Sequence, residues 1–314
     1  MTEIVAIDIG GTHARFAFAE VEGGRVARLG EACTLRTAEH ESLESAWRAF
    51  AAAAGRRLPG AAAIAMAGPV QGELVKLTNN GWTIRPASIG SALGLERHLL
   101  INDFGAVAHA VAQLDEAHFS HLCGPDGRLP EEGVISIVGP GTGLGAAQLL
   151  RRSGDYRVVE TEGGHIGFAP LDALEDRILG HLRARHGRVS VERLASGPGL
   201  ADTFEALAEI EGREIGMRDE KALWRAALSG EDALAAAALE RFCLTLGAVA
   251  GDIALAQGAD AVVIAGGLGL RLAGHLPGSG FCGRFAAKGR FQRHMEAIPV
   301  RIVTHGQPGL FGAA

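Results

Sequence analysis

The hydrophobic pattern opens with Ile4-Val5-Ala6-Ile7-Asp8-Ile9, a β-branched run with one acid near its end. Gly10-Gly11-Thr12 follows, and Phe16-Ala17-Phe18 carries the apolar run onward. Two extended runs around a Gly-bearing turn predict a β-hairpin tight enough to need Gly. Backbone N–H groups in such a turn can hold phosphate oxygens. Asp8, at its lip, can hold a hydrated Mg2+ on that phosphate. A plain hairpin accounts for the same residues. The plan then recurs. Val134-Ile135-Ser136-Ile137-Val138 runs into Gly139-Pro140-Gly141-Thr142-Gly143, and Leu144 to Leu150 leaves the turn. A shift of 130 positions carries Gly11 onto Gly141 and Thr12 onto Thr142. The repeat predicts a duplicated architecture with one phosphate-gripping hairpin per half.

Between and after the hairpins the pattern alternates strands and helices. Glu22-Gly23-Gly24 predicts a turn into an extended run from Arg25 to Leu35. Leu43, Ala46, Trp47 and Phe50 recur at helical spacing, so a helix is expected over 42–54, stopped by Gly55. The apolar stretch 61–67 predicts a strand buried on both faces, ending at Gly68-Pro69. The Thr78-Asn79-Asn80 amides beside Trp82 suit either a polyol ligand or a polar hairpin tip over a packed tryptophan. His98 to Ile101 is the next expected strand, with Asn102-Asp103 at its carboxyl end. Ligands in open α/β sheets bind at such ends. The pair equally suits a helix N-cap, and a helix burying Val107, Val111 and Leu114 is expected after it.

Residues 115–133 read as an irregular crossing. A later strand ends in the turn Glu162-Gly163-Gly164-His165. Asp172 and Glu175 have capping-box spacing for a helix burying Leu174, Ile178 and Leu182, ended by Gly187. A polar helical segment is expected over 201–228, and Asp232 caps a long Ala-rich helix reaching 256. Residues 261–265 predict a buried strand that turns at Gly266-Gly267. Lys288, Arg290 and Arg293 read as solvated surface, and 298–303 as a last strand.

Composition narrows the function classes. With 314 residues, 47% of them hydrophobic and 21% charged, two packed domains of ordinary size, or one large one, are expected. The 45 glycines, about twice average usage, imply many tight turns. A net charge of −6 with no long basic block argues against nucleic acid and anionic membranes as partners. Cys33, Cys123, Cys243 and Cys282 form no CxxC pair, so neither a disulfide framework nor a zinc knuckle is expected, and a reduced cytoplasm is the natural compartment. The acidic start Met1-Thr2-Glu3 is not a signal peptide. The uncharged run 133–150 is long enough to raise a membrane span, but its glycines and proline favour the hairpin. Walker A, GxSxG and HExxH patterns are absent.

The paired hairpins resemble those of the sugar-kinase/actin/heat-shock ATPase fold. Together with Asn102-Asp103, Glu162-Gly163-Gly164-His165, Glu192 and Ala265-Gly266-Gly267, they resemble bacterial glucokinases over essentially the whole chain. The resemblance implies an α/β, two-domain actin-like ATPase (ribonuclease H-like) fold with an interdomain cleft. The domains would be 1–106 plus 298–314 and 107–297. It implies ATP contacts at Ile7, Asp8, Ile9, Gly10, Gly11, Thr12, Gly141, Thr142, Gly143, Gly266 and Gly267, with Mg2+ held through water by Asp8. It implies glucose contacts at Asn79, Asn102, Asp103, Glu162, His165 and Glu192, with Asp103 accepting the proton of the 6-hydroxyl. A homodimer is implied as well. His13 stands where the family pattern usually has Asn, and the terminus after Pro308-Gly309-Leu310 reads as too short for a final helix.

Three competing readings remain open to sequence. One keeps the fold with another hexose, or with polyphosphate as donor. Another is a sugar-responsive regulator, which needs a DNA-binding module that the chain does not display. The last is an actin-type structural ATPase, disfavoured by the sugar-site residues. Zinc at His165 is rejected because no cysteine cluster follows it.

Overall fold

The computed structural model describes residues 1–68, 70, 72–77, 81–216 and 219–314. They divide into two compact units, Met1–Leu114 with His305–Ala314, and Asp115–Thr304.

In the first unit, β1 (Thr2–Ile9) and β2 (His13–Glu22) form the expected hairpin. The extended run after it is two strands, β3 (Arg25–Leu29) and β4 (Cys33–Arg36), both paired to β2. They break at Gly30, whose N–H turns aside to the Phe18 carbonyl at 2.8 Å. Then come α1 (Leu43–Ala54), β5 (Ala61–Met66), the short pair β6 (Val75–Lys76) and β7 (Thr83–Ile84), α2 (Ile89–Leu93), β8 (Arg97–Asn102) and α3 (Asp103–Gln113). The sheet runs β3-β2-β1-β5-β8, with β1, β5 and β8 parallel.

The pleat sorts this sheet's two faces. Val5, Ile7, Ile9 and Phe16 pack on α1, where Phe16 stacks on Phe50 with ring centroids 5.1 Å apart. Burying each such side chain contributes about 1.5–3 kcal/mol. Ala6, Ala17, Ala19 and Ala65 line the other face with Ala106 of α3. Small side chains let helices lie close to the strands there. Ser42 caps α1 through Ser45 N–H, and Gly55 ends it in the left-handed region, as expected. Trp82 is buried with its indole N–H on the His40 carbonyl at 2.8 Å, which makes it a packing residue. Pro69, Thr78, Asn79 and Asn80 lie outside the described residues.

The second unit repeats the plan. Its elements are β9 (Phe119–Cys123), β10 (Gly133–Pro140), β11 (Leu144–Arg152), β12 (Asp155–Thr161), α4 (Ala173–His186), α5 (Gly197–Glu211), α6 (Glu220–Ser229), α7 (Ala233–Gln257), β13 (Ala261–Ile264), α8 (Gly266–Arg271), α9 (Phe281–Ala286), α10 (Gln292–Glu296) and β14 (Val300–Val303). The sheet order is β12-β11-β10-β13-β14-β9. An antiparallel meander followed by two parallel strands is thus shared by both units. α7 is long and apolar enough to cross a membrane, yet 67% of its apolar window is buried inside the unit, as in a core helix.

Six expectations need correction. The 115–133 segment contains a strand, β9, because it can pair with β14. The 201–228 helix is two helices, α5 and α6, since Gly212 closes the first in the left-handed region. Lys288 is a buried tether, its ammonium 2.7 Å from Asp252 and 2.8 Å from the Ala248 carbonyl. The last strand, β14, pairs with β13 in the second sheet rather than returning to the first. What returns is a terminal helix, α11 (Pro308–Ala313), seated on the alanine face of the first sheet through Leu310 and Ala313. The boundaries expected at 106/107 and 297/298 therefore fall at 114/115 and 304/305. Gly312 permits this seat, because a Cβ there would overlap the Ala106 carbonyl of α3.

Candidate active site

Sequence-predicted residues of the first unit gather at the carboxyl ends of β1 and β8. Asp8 sits opposite Arg15 in the hairpin register, and Arg15 Nη1 donates to Asp8 Oδ2 at 3.1 Å. The turn closes through Gly10 N–H to the His13 carbonyl, 2.9 Å. It is braced from behind by Thr37, whose hydroxyl donates to the Gly11 carbonyl at 2.9 Å and whose N–H donates to the Thr12 carbonyl at 3.0 Å. Thr12 is left exposed at the tip. Ile7 and Ile9, expected among the ATP contacts, are wholly buried. Their role is to fix the strand that presents Asp8.

Burial pushes the Asp8 carboxyl above its ordinary value, against the opposing pull of Arg15. Ionising it therefore costs the folded protein stability, and the cost sets in as pH rises above the ordinary carboxylate value of 3.8. A buried carboxyl with this raised proton affinity, facing a phosphate-holding turn, suits a cation-holding role, since a bound cation would favour its ionised form. Asp8→Asn is expected to raise the thermal midpoint of the ligand-free protein at pH 7.5 and to flatten its decline with rising pH. Turnover should fall by about 10²-fold or more. Thermal scans beside steady-state kinetics check both halves; a midpoint that drops would contradict the assignment.

At the end of β8, Asn102 is the N-cap of α3. Its Oδ1 accepts from Phe104 N–H at 2.8 Å and Gly105 N–H at 3.1 Å, and its Nδ2 donates to the Gly68 carbonyl at 3.2 Å. Asn102 is buried and holds backbone through both its Oδ1 and its Nδ2. Asp103, the first helical residue, is half-buried, with Oδ1 accepting from Phe104 N–H at 2.9 Å.

In the second unit the candidates converge on the β10–β11 turn. Four residues separate the last paired positions of the first hairpin, Ile9 and Ala14; three separate Pro140 and Leu144. The second turn is one residue tighter. Gly141 N–H closes it on the Gly143 carbonyl at 2.8 Å, and Gly197 N–H braces the Gly141 carbonyl at 2.8 Å. Among the described residues the tip glycines Gly10, Gly141 and Gly143 do not adopt positive φ. Gly143 instead gives room to the Glu192 carboxylate, which a Cβ there would displace. Glu192 Oε2 accepts from Leu144 N–H at 2.8 Å, which ties this expected sugar ligand directly to the hairpin.

Glu162 and His165 lie beside the same residue. Gly164 packs against Leu144 so closely that a Cβ would overlap the Leu144 carbonyl. Glu162 and His165 are both more than half exposed, 4.0 Å apart. The segment after His165 pairs with the one before Glu192, Phe168 N–H to Val189 O and Val191 N–H to Ile166 O, each 3.0 Å. That ladder brings Glu162, His165 and Glu192 together around Leu144. On the other side, parallel pairing of β10 and β13 sets Gly266 beside the hairpin. Gly266 has φ +79°, and a Cβ there would fall 2.6 Å from the Pro140 carbonyl oxygen.

The structure therefore groups Asp8, Gly10, Gly11, Thr12, Asn102 and Asp103 in the first unit. It groups Gly141, Thr142, Gly143, Glu162, His165, Glu192, Gly266 and Gly267 in the second. Sequence reasoning missed Arg15, Thr37 and Gly197. Only Arg15 left a signal, as the residue facing Asp8 once the hairpin register is drawn. No cluster of three or more metal-ligating side chains occurs among the described residues.

A sequence model of the glucokinase family matches residues 5–314. The chain is 63% identical to the glucokinase of Zymomonas mobilis over 312 residues, 99% of this chain and 96% of that one. It superposes on the crystal structure of a glucokinase from an Antarctic psychrotroph with a TM-score of 0.83 and 35% identity, covering 100% and 98% of the two chains. A ROK-family glucokinase from Streptomyces griseus, solved with glucose and AMPPNP, shares the fold with a TM-score of 0.67 at 21% identity, over 99% and 98% of the chains. With a full-length family match and this level of identity, the chain belongs to the glucokinase family.

Proposed function

We propose that this chain transfers the γ-phosphoryl group of ATP to the 6-hydroxyl of glucose, giving glucose 6-phosphate and ADP. As a member of the glucokinase family it is an ATP-dependent hexose kinase, a phosphotransferase to an alcohol. The observation that carries the residue assignment is the repeated sheet. Each unit ends its first hairpin in a Gly-Thr turn braced from behind, and Asp103 leads the helix that leaves the last parallel strand of the first sheet.

In this reading Glu162, His165 and Glu192 grip one side of the sugar, and Asn102 and Asp103 grip the side bearing the 6-hydroxyl. Acids and imidazole can each make paired hydrogen bonds to sugar hydroxyls. A sugar lacking one of them leaves a buried polar group unsatisfied. Asp103 orients the 6-hydroxyl and accepts its proton as the oxygen attacks the γ-phosphorus. Phosphoryl transfer is loose, so position and charge neutralisation outweigh base strength. Backbone N–H groups at Gly11 and Thr12 and at Thr142 and Gly143 hold phosphate oxygens, while those of Gly10 and Gly141 close the turns. Gly266 and Gly267 leave room for the nucleoside. Asn79 keeps its expected sugar contact as a proposal.

A Mg2+ ion fits the chemistry at Asp8, a single hard carboxylate oxygen donor beside a phosphate-holding turn, the arrangement Mg2+ takes with water and substrate phosphates completing its shell. When bound it neutralises charge on the transferring phosphates. The family resemblance further supports a cytoplasmic homodimer whose product enters glycolysis. Excess EDTA is expected to abolish turnover, added Mg2+ to restore it, and polyphosphate to fail as donor. Undiminished turnover in EDTA, or faster turnover with polyphosphate than with ATP, would overturn the ATP·Mg assignment.

A further inference from the structure

We propose that Cys123 and Cys282 form a reversible thiol–disulfide pair, a peroxide-responsive modification site apart from the residues assigned to phosphoryl transfer. Cys123 ends β9 and Cys282 is the second residue of α9, so two different elements bring the thiols together. The Cys282 thiol donates to the Leu122 carbonyl at 3.7 Å, in the peptide link leading into Cys123, so the two cysteines are neighbours. Both cysteines are partly exposed.

Their elements are firmly seated. β9 is paired to β14. α9 lies against α7 at Gly247 and Gly251, where Cβ atoms would overlap or crowd the Phe281 and Phe285 carbonyls. The encounter of the two sulfurs is therefore built into the packing. Electrostatics divide the roles. The hydrogen bond from Cys123, with help from the His121 imidazole, holds the Cys282 thiol below the ordinary thiol range despite burial. The same hydrogen bond and burial push the Cys123 thiol up. Cys282 is thus the attacking thiolate and Cys123 the resolving thiol.

The chemistry balances with hydrogen peroxide as oxidant. The Cys282 thiolate attacks one peroxide oxygen, the O–O bond breaks, and Cys282 becomes a sulfenic acid as hydroxide leaves. The Cys123 sulfur then attacks the Cys282 sulfur. The S–S bond forms, and the sulfenic hydroxyl departs as water with the Cys123 proton. Two thiols and one peroxide give one disulfide and two waters. A small dithiol reverses the step by exchange. Cys243 is an internal control, since burial pushes its thiol up to about 12.

The test is peroxide treatment of the full-length protein, followed by alkylation, non-reducing digestion and mass spectrometry. The expected result is one linked peptide pair carrying Cys123 and Cys282. Titratable thiols in the denatured protein should fall from four to two, and dithiothreitol should return them to four. In Cys123→Ser, no link forms and dimedone labels Cys282. In Cys282→Ser, loss of the Cys123 thiol slows by about tenfold or more. Four surviving thiols, or Cys282 oxidised to sulfinic acid with Cys123 present and unlinked, would overturn the proposal.

Discussion

Asp103→Asn is expected to lower kcat for glucose phosphorylation by at least about 10²–10⁴-fold, the usual cost of deleting a general base. The substitution is nearly isosteric, and the hydrogen bond that Asp103 Oδ1 accepts from Phe104 N–H can be kept by an amide oxygen. The cap of α3 does not depend on it, because Asn102 supplies that. Folding should therefore be spared, with a thermal midpoint close to that of the parent. What is lost is the acceptor for the 6-hydroxyl proton and the orientation of that hydroxyl. KM for ATP should hardly move. Steady-state kinetics for both substrates, beside a thermal scan, read this directly. Near-parental kcat in a folded Asp103→Asn protein would remove Asp103 from the mechanism.

Gly164→Ala should also lower activity strongly, by geometry rather than chemistry. A methyl group at 164 has nowhere to go, since the Leu144 carbonyl occupies its place and the Leu144 Cβ lies 3.0 Å from it. Either the Glu162–His165 turn lifts off β11 or the start of β11 yields. The first moves the sugar residues and the second moves the phosphate turn. A displacement near 1 Å can cost about 10²-fold in kcat/KM, and overpacking of this kind costs about 1–3 kcal/mol of stability. Gly167→Ala is the matched control. It lies three residues on, with no positive φ and open space where a Cβ would stand, so it should change stability by less than about 0.5 kcal/mol. Equal kinetics for the two variants would mean that the 162–165 turn does not position the sugar residues.

Much of the fold was legible because it is written in local periodicity. The α1 face of Leu43, Ala46, Trp47 and Phe50 is buried as its spacing requires. The 130-residue repeat located both turns because each joins the central strand of its sheet to the neighbouring one. The one-residue difference in turn length was invisible, since register depends on pairing rather than composition. The allocation of β14 was illegible for a similar reason. Val300-Arg301-Ile302-Val303 would suit a buried strand in either sheet, and only its pairing with β13 and β9 decides. Arg301 within it is buried, donating to the Gly127 carbonyl at 2.8 Å and pairing with Glu116, contacts between distant segments that no local pattern announces.

The terminal helix escaped notice because Gly309 and Gly312 weaken helix propensity. Both are there for close approach, Gly309 to the Asp8 carboxylate and Gly312 to the Ala106 carbonyl. At the candidate site, residue types and strand-end positions were readable; their supports were not. Thr37, Gly197 and the bond from Leu144 N–H to Glu192 join segments far apart in sequence.

The most direct test of the account is formation of glucose 6-phosphate by the purified chain with ATP and Mg2+, measured by a coupled assay with glucose, mannose, fructose and N-acetylglucosamine in parallel. The account predicts strong turnover selective for glucose. Turnover that prefers one of the other sugars would contradict the roles given to Glu162, His165 and Glu192, and no turnover with any of them would contradict the kinase reading itself.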